Sequence, residues 1–302
     1  MLIVIAVGGN ALLQPGEPLL VECLIRNSQQ ATKLLAEIAK QHEIVVVHGN
    51  GPQIGILALQ AQAYSAIPAY PFDILNAETQ GMIGYLLQQG LVNALAEKSV
   101  VTLITQAVID NNDPHLYEPS KPIGPFYDDN ILQQIKCTYP RWQIQRYQQG
   151  WRRIVASPCP IDIIELPIIK TLVHQKTIVI AGGGGGIPCV QGENHQYQGI
   201  EAVIDKDLTA SLIAQRLQAD RFIVLTNVDA VYQQWRTKQR YAIETITPEK
   251  LTALPFEAGT MQPKIMAACE FVNATKQVAS IGALSQLTQV LQCQSGTHVV
   301  PD

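Results

Sequence analysis

Short apolar runs of strand length recur along this chain at intervals, and no other feature limits its possible folds as strongly. Residues 2–7, 44–47, 100–104, 177–180 and 222–225 are rich in β-branched side chains and bounded by glycine or polar turns, the pattern of strands buried on both faces. Helix-like stretches lie between them. Residues 28–41 carry Leu34, Leu35 and Ile38 at helical spacing, and residues 207–217 carry Leu208, Leu212, Ile213 and Leu217. Strands alternating with helices predict an α/β fold around a parallel sheet. The chain has 302 residues, 47% hydrophobic and only 15% charged. That is enough for one large domain or two lobes, and apolar enough for a buried sheet and an oligomer interface.

Charge and cysteine usage narrow the class. A formal net charge of −4 without an evident basic face argues against a nucleic-acid partner. The six cysteines are scattered without a C-x-x-C pair, as expected of free thiols in a reducing cytoplasm. The opening apolar run is too short for a secretory signal and has no basic flank, and no stretch is long enough to span a bilayer. One region breaks the alternation. Residues 111–154 hold five prolines, several aromatics and a glutamine-rich tail; so long an excursion is expected to be a small protruding subdomain acting as a lid, the alternative being a surface decoration.

Glycine turns follow the predicted strands. Val7-Gly8-Gly9-Asn10 comes after the first, and His48-Gly49-Asn50-Gly51-Pro52-Gln53 after the second. Glycines at strand-to-helix turns let backbone N–H groups approach an anion, and two such turns can face one crevice at the carboxyl edge of a sheet. His48 reads as a structural histidine at a strand end rather than a general base, because no partner for base chemistry is visible. The run Gly182 to Gly186 points to close approach of a phosphate. No Gly-Lys-Ser/Thr follows it, and it lacks the G-x-G-x-x-G dinucleotide spacing.

Three further segments add charge and a cup. Lys206, flanked by Asp205 and Asp207, opens a predicted helix after an apolar run. Residues 225–232 read as a strand whose end, at Asn227, Val228, Asp229 and Tyr232, could cup a nucleotide base. A glycine turn, Gly259-Thr260-Met261-Gln262-Pro263-Lys264, leads into an amphipathic helix over residues 265–272.

In order, the stretches AVGGNALL, VVHGNGPQIG, ETQGMIGY, SKPIGPFY, AGGGGGIPCV, EAVIDKDLTASLIA, LTNVDAVY and AGTMQPKIMAACEFV resemble the amino acid kinase family, and within it the branch that phosphorylates carbamate. Most members carry a lysine two residues before the first Gly-Gly turn; this chain has Ala6 there, and Lys121 in the inserted region matches the replacement lysine of that branch. The resemblance implies a three-layer αβα sandwich with an open, mainly parallel eight-stranded sheet and a small protruding lid subdomain. An N-terminal lobe of about residues 1–180 would bind carbamate or carbamoyl phosphate, with residues 111–154 as the insertion and a C-terminal lobe of about 181–302 binding nucleotide.

The resemblance also implies roles. Lys121, Lys206, Asp207 and Lys264 would be catalytic, the lysines neutralising phosphoryl charge and Asp207 holding them. Gly8, Gly9, Asn10, Gly49, Asn50 and Gly51 would bind carbamate or the transferred phosphate. Gly183, Gly184, Gly185, Asn227, Val228, Asp229, Tyr232, Met261 and Pro263 would serve the nucleotide. ATP or ADP with Mg²⁺ is implied, the metal held by phosphate oxygens and water without a dedicated set of protein ligands, as is a homodimer working on small molecules in the ATP-forming direction of arginine, agmatine or purine nitrogen catabolism. Asn227, Ala230 and Gln262 depart from the family pattern, where aspartate, glycine and glycine are usual. Two other readings stay open: a kinase of the same fold for another small acid, and a catalytically impaired regulator that binds nucleotide or carbamoyl phosphate.

Overall fold

The computed structural model describes all residues except 14, 15, 19, 65, 148, 236, 238 and 257–260, with the side chains of 10 and 125 also outside the description. Its centre is an eight-stranded sheet. In chain order the strands are β1 (Leu2–Val7), β2 (Glu43–His48), β3 (Val100–Thr102), β4 (Ile178–Ile180), β5 (Arg221–Thr226), β6 (Thr245–Ile246), β7 (Val278–Ala283) and β8 (Thr297–Val299), arranged β6-β8-β7-β5-β1-β2-β4-β3. Every neighbouring pair is parallel except β7 and β8. The expected mainly parallel, eight-stranded sheet is therefore present.

Alternation along each strand feeds two cores. On β1 and β2, Val4, Ala6, Val45 and Val47 face one side, while Ile3, Ile5, Val7, Ile44 and Val46 face the other. The helices that build the two outer layers are α1 (Val21–Ala39), α2 (Gly51–Ala63), α3 (Phe72–Ala94), α4 (Leu166–His174), α5 (Lys206–Leu217), α6 (Gln262–Thr275) and α7 (Leu287–Leu291). Residues of α4, α5 and α6 fill the first core, and residues of α1, α3 and α7 fill the second. The result is three layers. In the first core Phe222 and Phe271 are both fully buried with ring centroids 5.5 Å apart, and truncating such a side chain costs about 3–5 kcal/mol.

Local chemistry sets the helix boundaries that matter for the site. Asp205 caps α5 by accepting from the Asp207 N–H at 2.9 Å, a contact worth about 1 kcal/mol. Gly51 and Pro52 open α2, and Pro263 sits in the first turn of α6 where no N–H is needed. Helix α1 begins at Val21, earlier than the predicted residue 28, because Leu24 already packs into the core.

A four-stranded and a three-stranded sheet flank the frame. One joins Tyr197–Gly199, Ile187–Gln191, Gln106–Ile109 and Pro160–Ile163. The other is antiparallel, built from Lys121–Tyr127, Gly150–Val155 and Gln143–Tyr147, with a helix at Asp129–Thr138. This inserted sheet rests on α2 so closely that a Cβ on Gly55 would come within 2.8 Å of the Gly124 backbone. Arg153 anchors it from below, its guanidinium 4.7 Å from the Phe72 ring and 4.4 Å from the Trp142 ring.

Candidate active site

Strands β5, β1, β2 and β4 lie side by side and parallel, so the turns after all four leave from the same edge. The turns at Gly8 and Gly49 are packed backbone on backbone. Gly8 N–H donates to Leu225 O at 3.2 Å and Gly49 N–H to Val7 O at 2.8 Å. A Cβ on Gly49 would lie 2.5 Å from Gly9 N and 3.2 Å from Lys206 Cδ. Glycine is required there because the Gly9 backbone packs directly against the turn, with the aliphatic stem of Lys206 close beside it. The sequence-predicted residues Gly8, Gly9, Gly49, Gly51 and Lys206 thus come together, and the backbone of Asn10 lies in the short helix Gly9–Leu12 beside them.

The glycine run has a structural reason beyond an anion. All of Gly182 to Gly186 are buried. Gly182, Gly184, Gly185 and Gly186 have φ of 65°, 66°, 99° and 82°, a region that other residues enter only with strain. A Cβ on Gly183 would strike the His48 ring, and one on Gly184 would reach 2.1 Å from Asn50 Nδ2. The N–H groups of Gly182, Gly185 and Gly186 are engaged with Thr105 Oγ1, Gly182 O and Gly183 O. Packing and conformation therefore demand the glycines, which narrows the expected phosphate contacts to Gly183 and Gly184.

Beneath the turns lies a polar network of residues that motif reading did not single out. Asn50 Nδ2 donates to Asn76 Oδ1 at 2.6 Å and to Thr79 Oγ1 at 2.8 Å. Gln80 bridges Thr105 N and O at 2.8 and 3.0 Å. Gln53 is 2% exposed, and neither of its amide atoms has a hydrogen-bond partner among the described residues. His48 is buried with Nδ1 donating to Gly49 O at 3.2 Å. Burial pushes its imidazole down to about 4, so the ring is neutral near pH 7. That geometry matches the structural reading of His48.

The charged cluster sits at the start of α5. One Asp207 oxygen pairs with Lys206 Nζ and the other accepts from Lys264 Nζ at 2.9 Å. Asp207 is 1% exposed and Lys206 8%. Burial pushes the Lys206 ammonium below its ordinary value, against the pull of Asp207. Burial also opposes the charge on Lys264, but Asp207 and Asp205 outweigh it and hold that lysine above its ordinary value. Lys121 arrives from the inserted sheet, donating to Asp205 Oδ2 at 2.9 Å and Ile204 O at 3.3 Å. Asp205 was visible in the sequence only as a flanking charge; it is the carboxylate that receives Lys121. Burial works against the Asp205 carboxylate, yet Lys121, Lys264 and Lys206 together hold it well below the ordinary range.

The remaining predicted residues lie toward the other side. Asn227, Val228 and Asp229 form bends directly after β5, and Tyr232 stands on a hairpin of Val231–Gln233 with Tyr241–Ile243. Tyr232 OH donates to Asp229 at 2.9 Å, and its ring lies 5.3 Å from Trp235 with Arg240 over both. Met261 is partly buried against the sheet core, Pro263 opens α6, and Gly259 and Thr260 lie outside the described residues. Trp235 was not anticipated, since a lone tryptophan in a polar stretch carries no motif.

The amino acid kinase family model matches residues 1–282, and the chain belongs to that family. Within it, full-length curated relatives include carbamate kinases. The carbamate kinase of Rhizobium meliloti (strain 1021) is 46% identical over 302 residues, covering 99% of this chain and 93% of its own length. That of Haemophilus influenzae is 44% identical over 300 residues, covering 99% and 96%. Among solved structures, carbamate kinase from Giardia lamblia bound to AMP-PNP superposes with a TM-score of 0.90 at 35% identity, covering 100% of this chain and 98% of that one.

Proposed function

We propose that this chain catalyses reversible phosphoryl transfer between ATP and carbamate, carbamoyl phosphate and ADP being the other pair. One observation carries the choice of acceptor: Ala6 occupies the strand position where most of the family has lysine, and Lys121 enters instead from the inserted sheet to meet Asp205 beside Lys206 and Lys264. The full-length relatives named carbamate kinase support the same reading over another small acid or a non-catalytic regulator.

Carbamate is already an anion, so its oxygen attacks the γ-phosphorus without a general base. The new O–P bond forms as the bond to the β,γ-bridging oxygen breaks, and ADP leaves with that electron pair. The obstacle is the repulsion of two anions, which positioning and electrostatics remove. Lys206 and Lys264 neutralise the transferring group and nucleotide phosphates, Asp207 fixes both ammonium groups, and Lys121 adds charge from the inserted sheet acting as a lid. Gly8, Gly9, Asn10, Gly49, Asn50 and Gly51 hold carbamate or the transferred phosphoryl group, with the Gln53 amide, unpartnered among the described residues, close behind in sequence. Gly183 and Gly184 approach the phosphates; Asn227, Val228, Asp229, Tyr232, Met261 and Pro263 receive the nucleoside.

Magnesium enters with the nucleotide as part of the substrate. Both oxygens of Asp207 are engaged by lysines, and those of Asp205 by Lys121 and the Asp207 N–H. Phosphate oxygens and water would therefore carry the metal. No helix among the described residues is long and apolar enough to cross a membrane. We place the enzyme in the cytoplasm as a homodimer, which sedimentation at graded concentrations would test. The function itself is tested by supplying carbamoyl phosphate, ADP and Mg²⁺ and following ATP through a coupled reaction. ATP should accumulate, and acetyl phosphate should support far slower formation. No ATP from carbamoyl phosphate would reject the reading, whereas equal rates with both would leave a kinase but not this acceptor.

A further inference from the structure

The two chain crossings at the root of the inserted sheet bring together three metal-ligating side chains that the phosphoryl-transfer reading does not use. Asp113 lies just before the short turn Pro114–Leu116 and His115 within it, ahead of the Lys121–Tyr127 strand. Cys159 lies on the return path, after the Gly150–Val155 strand and before Pro160–Ile163. The carboxylate, imidazole and thiol donor atoms all lie within 4.8 Å of one another. We propose that Asp113, His115 and Cys159 form a binding site for a divalent cation of zinc type, with solvent as the fourth ligand, clamping the entry and exit of the inserted sheet together.

The donor set fits that class. Thiolate, imidazole and carboxylate are the ligands of Zn²⁺, at ~2.0–2.3 Å. Tetrahedral bonds of that length place donors ~3.3–3.7 Å apart, so side-chain rotation alone can close the observed spacing. Asp113 is already fixed for the role. Its Oδ2 accepts from Cys159 N–H at 2.7 Å, and its Oδ1 accepts from His115 N–H at 2.9 Å and lies 2.7 Å from His115 Nδ1. The Asp113 side chain is 10% exposed, while His115 and Cys159 reach solvent, so the site has both a rigid ligand and an entry path. The Cys159 thiol gives up its proton to solvent when metal binds. A bound ion would add ligand bonds to the Cys159–Asp113 hydrogen bond and the Ser120–Val155 backbone bond that already join the crossings, a few residues ahead of Lys121.

The experiment uses the full chain, free of affinity tags and stripped with chelator, titrated with Zn²⁺ alone by calorimetry and with Co²⁺ by absorption. The expected result is about one bound equivalent, a thiolate-to-cobalt charge-transfer band, and affinity weakened ~10-fold or more in both Cys159→Ser and His115→Ala. Cys159→Ser should also lose the band, while Cys293→Ser, at another exposed thiol, should change neither quantity. Equal Zn²⁺ affinity in wild type, Cys159→Ser and His115→Ala would overturn the site. So would a charge-transfer band that persists without Cys159. The readout is metal binding, so it stands or falls independently of phosphoryl transfer.

Discussion

At the start of α5 two lysines and an aspartate share a niche almost closed to water, whereas on the hairpin after β5 aromatic rings stand at the surface. Lys206 and Asp207 are 8% and 1% exposed, while Trp235 is 49% exposed. Under the proposed function the two regions answer different demands. Stabilising charge on a transferring phosphoryl group needs fixed dipoles and ammonium groups in a poorly screened environment. Holding a nucleoside needs only shape and a few adaptable contacts. The departures from the family pattern are distributed accordingly. Asn227 and Gln262 are exposed on the adaptable side and Ala230 is buried just behind it, while Lys121, Lys206 and Lys264 are retained.

If the niche is where catalysis is built, disturbing it should outweigh any change on the hairpin. Lys206→Ala should lower turnover by ~10²–10³-fold in steady-state assays with the fold intact by circular dichroism. Near-normal turnover would move the chemistry elsewhere.

Beneath the niche, His48 offers a test by pH. Its folded value is about 4 against an ordinary 6.5. Between those values the unfolded chain binds a proton that the folded one refuses, so stability is full above the ordinary value and falls as pH drops through this window. From about pH 7.5 to about pH 5 the loss should be on the order of 2 kcal/mol in urea unfolding. His48→Gln should flatten that slope, leaving a remainder from His298, which burial also lowers. An unchanged slope would contradict the buried, neutral assignment.

On the hairpin the effects should be small. Tyr232→Phe removes a hydrogen bond to Asp229, worth about 0.5–1.5 kcal/mol, and should raise KM for ADP a few-fold with kcat unchanged. A loss in kcat equal to that of Lys206→Ala would erase the distinction between the two regions.

The sequence announced the first region more clearly than its supports. Strands β1, β2 and β5 are unbroken apolar runs ending in glycine or polar turns, so their edge was legible, as were Lys206 and Lys264. Helix α3 was not, because Gly84 and Gly90 interrupt its pattern. Both are there for contact: a Cβ on Gly84 would sit 2.2 Å from Thr102 Cγ2 and one on Gly90 2.5 Å from Thr32 Oγ1. Strands β7 and β8 were hidden by Ser280 and His298, which satisfy each other at 2.9 Å across the sheet and make a core strand look polar. The pairing of Lys121 with Asp205 spans 84 residues, and only the fold can create it. The glycine run was found for a reason that proved incomplete, since backbone conformation and the bulk of His48, Asn50 and Asn76 require it before any ligand does.

The central claim is that a lysine from the inserted sheet does the work that a strand lysine does in most of the family. Its most direct test is Lys121→Ala, measured for ATP formation from carbamoyl phosphate and, in parallel, for ADP binding by calorimetry. Turnover should fall ~10-fold or more with ADP affinity retained. Unchanged turnover together with lost ADP binding would contradict it.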